Sequence, residues 1–341
     1  MTTGIETVNA RVDEPVERSR ALRDPRVQRA AKSLNVDLSD EATLQIVLNK
    51  IDTYARGEFR DTSWLHKLSW IASDDPSYWQ VAEGSFETAF VEHGYIEPEA
   101  GWARRVGDRI EIHASTQTPY MDRDEVASVM RLRPDQVRIV PTSCGGGFGG
   151  KLDLSVQPLI AIAAWRLGRP VALVYTRPES MAASTKRHPA RVAAKFGCDA
   201  SGRLVACDVT ATFDTGAYAS WGPTVANRVP VHAMGPYRVP HVRTWGEAFF
   251  TNGPPSGAFR GFGVPQAAIA HEAMMDALAD KLGIDRLEFR HTNALRVGDK
   301  TACGQELKHS AGLAQCLEAL RPKWRKAQAE IAAFNAAAGP R

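Results

Sequence analysis

The sequence predicts an α+β fold, with mixed sheets and flanking helices behind a small helical N-terminal region. Three observations carry this expectation. Short β-branched runs such as GDRIEIHAS (107–115) and RLVACDVTATF (203–213) read as strands. Segments 155–167 and 266–282 have the apolar content and spacing of helices packed on a core. Between a strand and a helix lies a cluster of five glycines, Gly145-Gly146-Gly147-Phe148-Gly149-Gly150, followed by Lys151.

In residues 1–78, Val27 to Leu34 suits a short helix and 40–56 (DEATLQIVLNKIDTYAR) a longer one. Asp40 can cap the longer helix, Leu44, Val47, Ile51 and Tyr54 recur at helical spacing, and Gly57 stops it. From about residue 80 the texture is mixed. After the strand at 107–115, Asp124 to Met130 suits a short helix and QVRIVPTS (136–143) a second strand. The glycine cluster then leads into an apolar helix from Ser155 to Leu167, closed by Gly168-Arg169-Pro170. VALVYTR (171–177) and 203–213 are strands, and 266–282 is a long amphipathic helix. Asp285 caps a short helix, and Ser310 caps the last one, whose end becomes charged and Ala-rich. Three regions follow: a helical one at 1–78, a main domain at 79–322 and a solvated helical tail at 323–341.

The chain has 341 residues, ample for a sizeable core, and a formal net charge of +3 from 42 basic and 39 acidic residues. Those charges are spread out, so the basic block of a nucleic-acid binder is missing. The longest apolar run, Pro158 to Trp165, is far too short to span a membrane. The polar start carries no Sec or twin-Arg signal, and the five cysteines form no CxxC pair. Together these point to a reducing, cytoplasmic setting, and any iron–sulfur cluster would have to sit on another polypeptide.

The glycine cluster has a physical purpose. Without Cβ atoms, its backbone N–H groups can approach an anion, and the following helix adds a favourable dipole. Gly145, Gly150 and Lys151 satisfy the first part of a phosphate-binding P-loop. Leu152, however, stands where that loop needs Ser or Thr to hold Mg²⁺, which makes a nucleotide-binding protein a distant alternative. Taken alone, the loop also fits a glycine-rich turn with no ligand.

A second cluster, NGPPSGAFRGFGVPQ (252–266), fixes an unusual loop from which Phe259, Arg260 and Phe262 project. A planar guanidinium suits a phosphate or oxo group, and an aromatic face suits a flat substrate; a surface loop with a structural cation–π pair is the other reading. His93, Glu97 and Glu99 could be offered as metal ligands. Pro98 breaks the helix that would align His93 with Glu97, which favours a hydrogen-bonded histidine in a structural turn. Segment 184–189 (STKRHP) is basic and polar and reads as a solvated loop.

Eight segments stand in an order and spacing that resemble a known family: GSFETAFVEHGYIEPEA, ASTQTP, PTSCGGGFGGK, TRPESMAASTKRHPA, DTGAYASWGP, HAMGPYRVPHVR, TNGPPSGAFRGFGVPQ and NALRVGD. The likeness is to the molybdenum-pterin-binding subunit of the xanthine dehydrogenase/aldehyde oxidase family, and within it to the first molybdopterin-binding domain. It runs from about Gly84 to Leu320. It implies molybdenum–molybdopterin as cofactor, with the cytosine dinucleotide form left open. Gln117 would hydrogen-bond an oxo ligand, as a second-shell contact of the metal. The backbone of Gly147, Phe148 and Gly149 would touch the metal–pterin centre, with Arg260 beside it. Phe262 would stack on a planar substrate, Arg228 would polarise it, and Leu152 would line its pocket. The implied reaction is hydroxylation of an aromatic N-heterocycle or an aldehyde, by attack of molybdenum-bound hydroxide and hydride transfer to a sulfido ligand.

Three departures from the family pattern matter. Leu152 replaces a glutamate of purine-oxidising members, which argues against xanthine. GAFR replaces the cysteine-containing loop of aerobic carbon monoxide dehydrogenases. No GVGE-like motif with its catalytic glutamate is present, and no hammerhead-like domain is recognisable before residue 80. The general-base glutamate is therefore expected on a second molybdopterin-binding subunit, alongside an iron–sulfur subunit with 2Fe-2S clusters and an FAD subunit. The competing class is a truncated, non-catalytic remnant of such a subunit. The intact set Gln117, Arg228, Arg260 and Phe262 favours the enzyme.

Overall fold

The computed structural model describes residues 79–338, so the helices expected in 1–78 lie outside the described residues. The strands, in chain order, are β1 (Trp79–Thr88), β2 (Ala100–Val106), β3 (Arg109–Ala114), β4 (Val137–Pro141), β5 (Val171–Val174), β6 (Ala190–Asp199), β7 (Leu204–Gly216) and β8 (His241–Phe250). The helices are α1 (Pro119–Met130), α2 (Gln157–Leu167), α3 (Arg177–Ala183), α4 (Gly222–Ala226), α5 (Arg228–His232), α6 (Val264–Leu282), α7 (Arg286–Asn293) and α8 (Leu313–Ala338).

These strands make two four-stranded sheets, ordered β1-β6-β7-β8 and β4-β3-β2-β5. Each sheet is mixed, as the sequence implied. β3 and β4 run parallel, and so do β7 and β8, while the other pairs are antiparallel. A parallel pair needs a crossover. The first crossover carries α1, and the second, residues 217–240, carries α4 and α5.

In the first sheet Ala190, Val192, Ala194 and Phe196 alternate inward from β6, and Ala211 and Phe213 join them from β7. The long helix α6 covers that face with Ala267, Ala270, Met274 and Leu278, all buried. Phe196 and Phe213 are fully buried, which stabilises the fold by roughly 2 kcal/mol each. The second core sets Ala103, Ile110 and Ile112 against Val126 of α1 and Ile160 of α2.

The strands expected at 107–115, 136–143, 171–177 and 203–213 are β3, β4, β5 and β7. The other four lack the β-branched signal. β6 is largely alanine on its buried face, a residue with weak strand preference, and register to its neighbours makes it a strand. Expected helix starts also move. α1 begins at Pro119, where proline suits the first helical turn, rather than at Asp124. The expected strand at 171–177 gives way to α3, because Thr176 and Glu179 form a capping box. Asp285 caps α7 as expected, its Oδ1 accepting from the N–H groups of Leu287 (2.9 Å) and Glu288 (3.0 Å). α8 starts three residues after Ser310, runs unbroken through residue 323, and hydrogen-bonds Asp285 through Trp324 and Gln328. Residues 325–337 are exposed.

Candidate cofactor site

The two glycine-rich loops meet each other. The first leaves β4, and within it Phe148 adopts a left-handed φ of 52°. That conformation costs a non-glycine residue roughly 1–3 kcal/mol, so surrounding contacts must hold it. One of them comes from the second loop, where the N–H of Arg260 donates to the Phe148 carbonyl at 2.8 Å. Next door, a Cβ on Gly149 would lie 2.5 Å from the Ala258 carbonyl oxygen, so glycine alone permits the loops to touch.

Gln117 lies on the turn between β3 and α1. Its Oε1 accepts from the N–H groups of Gly149 (3.0 Å) and Lys151 (3.3 Å), and its own N–H donates to the Lys151 carbonyl (3.0 Å). These bonds orient the amide oxygen toward the loop and leave its NH₂ as a donor at an exposed position. Gly147 lies flush against that amide, where a Cβ would collide with Oε1. The N–H groups of Gly146, Gly147 and Phe148 have no protein acceptor among the described residues. A side-chain amide and three free backbone donors thus lie side by side on this loop, where a methyl group on Gly147 would push the amide aside. The arrangement fits an anionic, oxo-bearing group such as a metal–pterin cofactor.

Lys151 does not join this arrangement. Its buried ammonium pairs with Glu97 at 2.7 Å, donates to Ser115 Oγ at 3.0 Å, and lies 4.9 Å from the Tyr95 ring centroid. A P-loop lysine must reach phosphate, so the nucleotide-binding alternative loses its second feature. Burial alone would raise the Glu97 carboxyl. Hydrogen bonds from Lys151, Ser115 and the Gly145 N–H outweigh this and hold it below the ordinary carboxylate range. Glu97 thus anchors the loop rather than a metal, and Glu99 accepts from the Tyr95 hydroxyl. Among the described residues no cluster of metal-ligating side chains occurs.

The expectation of a solvated loop at 184–189 is wrong. Ser184 and His188 are buried, and Lys186 pairs with Glu92 at 2.8 Å. The strap threads under the second loop: the Lys186 N–H donates to Pro255 O (3.1 Å), and the Gly257 N–H donates to Lys186 O (2.9 Å). Its basic residues find partners across that crossing. Arg187 lies 4.0 Å from the Phe259 ring centroid and donates to the Arg260 carbonyl at 2.7 Å. From the other side His93 stacks on Phe259 (4.2 Å between centroids) and donates from Nε2 to Ala258 O at 2.8 Å. The structural-turn reading of His93 therefore holds, and the cation–π pair expected in this loop is supplied by Arg187. The Arg260 side chain itself is exposed.

Toward α6, Phe262 is again left-handed (φ 52°) and meets Trp221 edge-on at 5.7 Å. Arg228, exposed at the start of α5, comes within 3.1 Å of an ideal Cβ on Gly263. The Arg228 stem thus packs beside Gly263, the residue after Phe262. Leu152 is half-buried at the exit of the first loop, where its carbonyl accepts from Thr118 Oγ1 at 3.1 Å. Arg187, Asp153, Ser220 and Trp221 escaped the sequence reading. The only signal for Arg187, Ser220 and Trp221 was their position inside the matched segments; Asp153, two residues past the first glycine segment, carried none.

Fold and site together suit a cofactor-binding domain, with two glycine-rich loops in contact. Residues 77–294 match the molybdopterin cofactor-binding domain family. The chain belongs to that family, as part of a molybdopterin-binding subunit of the xanthine dehydrogenase type. It is 48% identical over 244 residues to the nicotinate dehydrogenase large molybdopterin subunit of Eubacterium barkeri, covering 71% of this chain and 57% of that one. Among solved structures, aldehyde oxidoreductase from Desulfovibrio gigas superposes with a TM-score of 0.72 at 33% identity, covering 79% of this chain and 29% of that one. Quinoline 2-oxidoreductase from Pseudomonas putida 86 gives 0.68 at 28% identity, over 78% of this chain and 35% of that one. The chain spans little more than half of the first relative and about a third of the others. No helix among the described residues is long and apolar enough to cross a membrane.

Proposed function

We propose that this chain forms one wall of the active site of a molybdenum hydroxylase that oxidises an aromatic N-heterocycle, of which nicotinate is the first to test. The observation that supports the reading is the contact of the two glycine-rich loops, with Gln117 bonded to Gly149 and Lys151 of the first and the Arg260 N–H of the second bonded to Phe148. When bound, the molybdenum–pterin group would supply oxygen transfer and accept two electrons. Around it, Gln117 offers its NH₂ to an oxo group, and Phe148 and its neighbours offer backbone N–H groups. Arg260 adds positive charge at the rim. Phe262 gives a planar ring a stacking face, and Arg228 suits a ring carboxylate or a developing negative charge. Leu152 makes the wall apolar where a purine would want a polar partner.

The general base, a glutamate, is assigned to a second molybdopterin-binding subunit. Electrons would leave through partner subunits carrying 2Fe-2S clusters and FAD, in a cytoplasmic complex, and the cytosine dinucleotide is one form the pterin could take. Similarity to nicotinate dehydrogenase and to quinoline 2-oxidoreductase supports an N-heteroaromatic substrate. The test is to purify the chain with whatever subunits accompany it, measure molybdenum and pterin, and assay nicotinate with an artificial electron acceptor. Stoichiometric molybdenum with hydroxylated product is expected. A complex free of molybdenum and pterin would leave the non-catalytic remnant as the better reading.

A further inference from the structure

Asp153 is a carboxylate the site as described above does not use. It follows Leu152 at the end of the first glycine loop, and its Oδ1 accepts from Ser220 Oγ at 2.7 Å. Its Oδ2 is buried without a partner among the described residues. That oxygen lies 2.7 Å from where Gly257 would carry a Cβ, a spot the Thr185 side chain also borders at 2.6 Å. One side chain thus touches the first loop, the second loop, the 184–189 strap and the β7–β8 crossover.

Ser220 is unusual as well. Among the described residues four non-glycines have positive φ: Phe148 and Phe262 in the glycine-rich loops, Arg131 at the end of α1, and Ser220 at 38°. Ser220 caps nothing, and its hydroxyl is spent on Asp153. The residue after it, Trp221, opens α4 and presents its ring edge-on to Phe262 at 5.7 Å and 66°. Because the backbone at Ser220 sets the direction in which the chain leaves, it also sets where Trp221 lies. Part of this turn is closed from within: Thr215 Oγ1 donates to Ala219 O at 3.0 Å, and the Gly222 N–H donates to Ala219 O at 2.7 Å. Its start is tied to the second loop by Ala217 N–H to Gly253 O (3.2 Å) and Ser256 N–H to Thr215 O (3.0 Å), while the Asp153–Ser220 bond, next to Trp221, ties it to the end of the first loop.

We propose that Asp153 and Ser220 are a positioning pair that holds Trp221 against Phe262 and so fixes the aromatic end of the substrate pocket. The pair touches neither substrate nor cofactor. It couples the shape of the ring-binding wall to the glycine loop that carries Leu152, so a change of substrate class requires both to shift together. The inference about substrate rests on the function proposed above; the inference about Trp221 does not.

The test uses two readouts. In the full chain alone, the difference in fluorescence between the protein and its Trp221→Phe variant isolates the Trp221 signal. Ser220→Ala, which keeps the left-handed backbone but removes the hydroxyl, is expected to shift that signal. Asp153→Asn keeps an acceptor oxygen for Ser220 and turns an NH₂ toward Thr185 Oγ1, and is expected to keep the native spectrum, whereas Asp153→Ala should shift it as Ser220→Ala does. In the assembled complex, Ser220→Ala should raise KM for nicotinate about tenfold with kcat within about twofold and molybdenum unchanged, as misplacement of a ring-contacting wall predicts. An unshifted Trp221 signal in Ser220→Ala overturns the proposal. So does a loss of kcat and molybdenum together, which would mark a general structural role. Should the unaltered complex fail to oxidise nicotinate, the function proposed above falls, and the fluorescence comparison still decides the positioning pair.

Discussion

The N–H of Arg260 donates to the carbonyl of Phe148 at 2.8 Å, and this bond locks together two loops more than a hundred residues apart in sequence. Both partners sit on the glycine-rich loops, so each loop helps to hold the other in place. Gly149 permits that contact. Gly149→Ala adds a Cβ at φ 105° and 2.5 Å from the Ala258 carbonyl. It should destabilise the chain by roughly 2 kcal/mol or more, since neither backbone can yield cheaply. Thermal unfolding of the purified variant checks this, and an unchanged midpoint would show that the loops separate freely.

If Arg260 stands beside the metal–pterin centre, Arg260→Ala should abolish activity or cofactor retention in the assembled enzyme. Arg260→Lys should recover little, because an ammonium lacks the planar fork. Molybdenum analysis beside steady-state kinetics separates the two losses. Full activity in Arg260→Ala would remove Arg260 from the site.

Leu152 should behave in the opposite way. Leu152→Glu is expected to raise KM for nicotinate, because a half-buried carboxylate there costs at least about 1 kcal/mol and would face a ring carboxylate of like charge. Molybdenum content should not change. Wild-type oxidation of xanthine as fast as any other substrate would contradict the assignment of Leu152 to substrate selection.

His188 predicts a pH dependence. Burial depresses its pKa from 6.5 to about 4, with Asp214 opposing. Between those values the unfolded chain binds a proton that the folded chain refuses, so stability falls as pH drops from 6.5 toward 4. His188→Gln should flatten this slope by roughly 3 kcal/mol at most, leaving the smaller contributions of His93 and His271, which burial also lowers. Denaturant titrations at several pH values would show it; identical slopes would mean that His188 ionises without cost.

The sequence revealed the parts of this fold in which local chemistry dictates structure. Gly168 at φ 63° closes α2, and Asp285 starts α7, because caps are local events. It concealed β6, whose alanines become strand residues only through their neighbours on β1 and β7. At the site, the glycines of 145–150 and Arg260 were legible as parts of two special loops because runs of glycine mark close backbone approach. The strap at 184–189 looks solvated in the sequence because Glu92 and Phe259, the partners of Lys186 and Arg187, are distant along the chain. Asp153 and Ser220 were invisible for the same reason.

β7 and β8 lie parallel, so the chain must travel back along the sheet between them, and residues 217–240 make that journey. Ser220, Trp221 and Arg228 all ride on it, whereas Gln117 and the glycine loops lie elsewhere. On the function proposed above, this stretch is an exchangeable cassette that backs Phe262 and brings Arg228 to the substrate. Grafting the corresponding stretch from an aldehyde-oxidising relative could redirect specificity while the metal's berth stays intact, provided position 153 is exchanged with it.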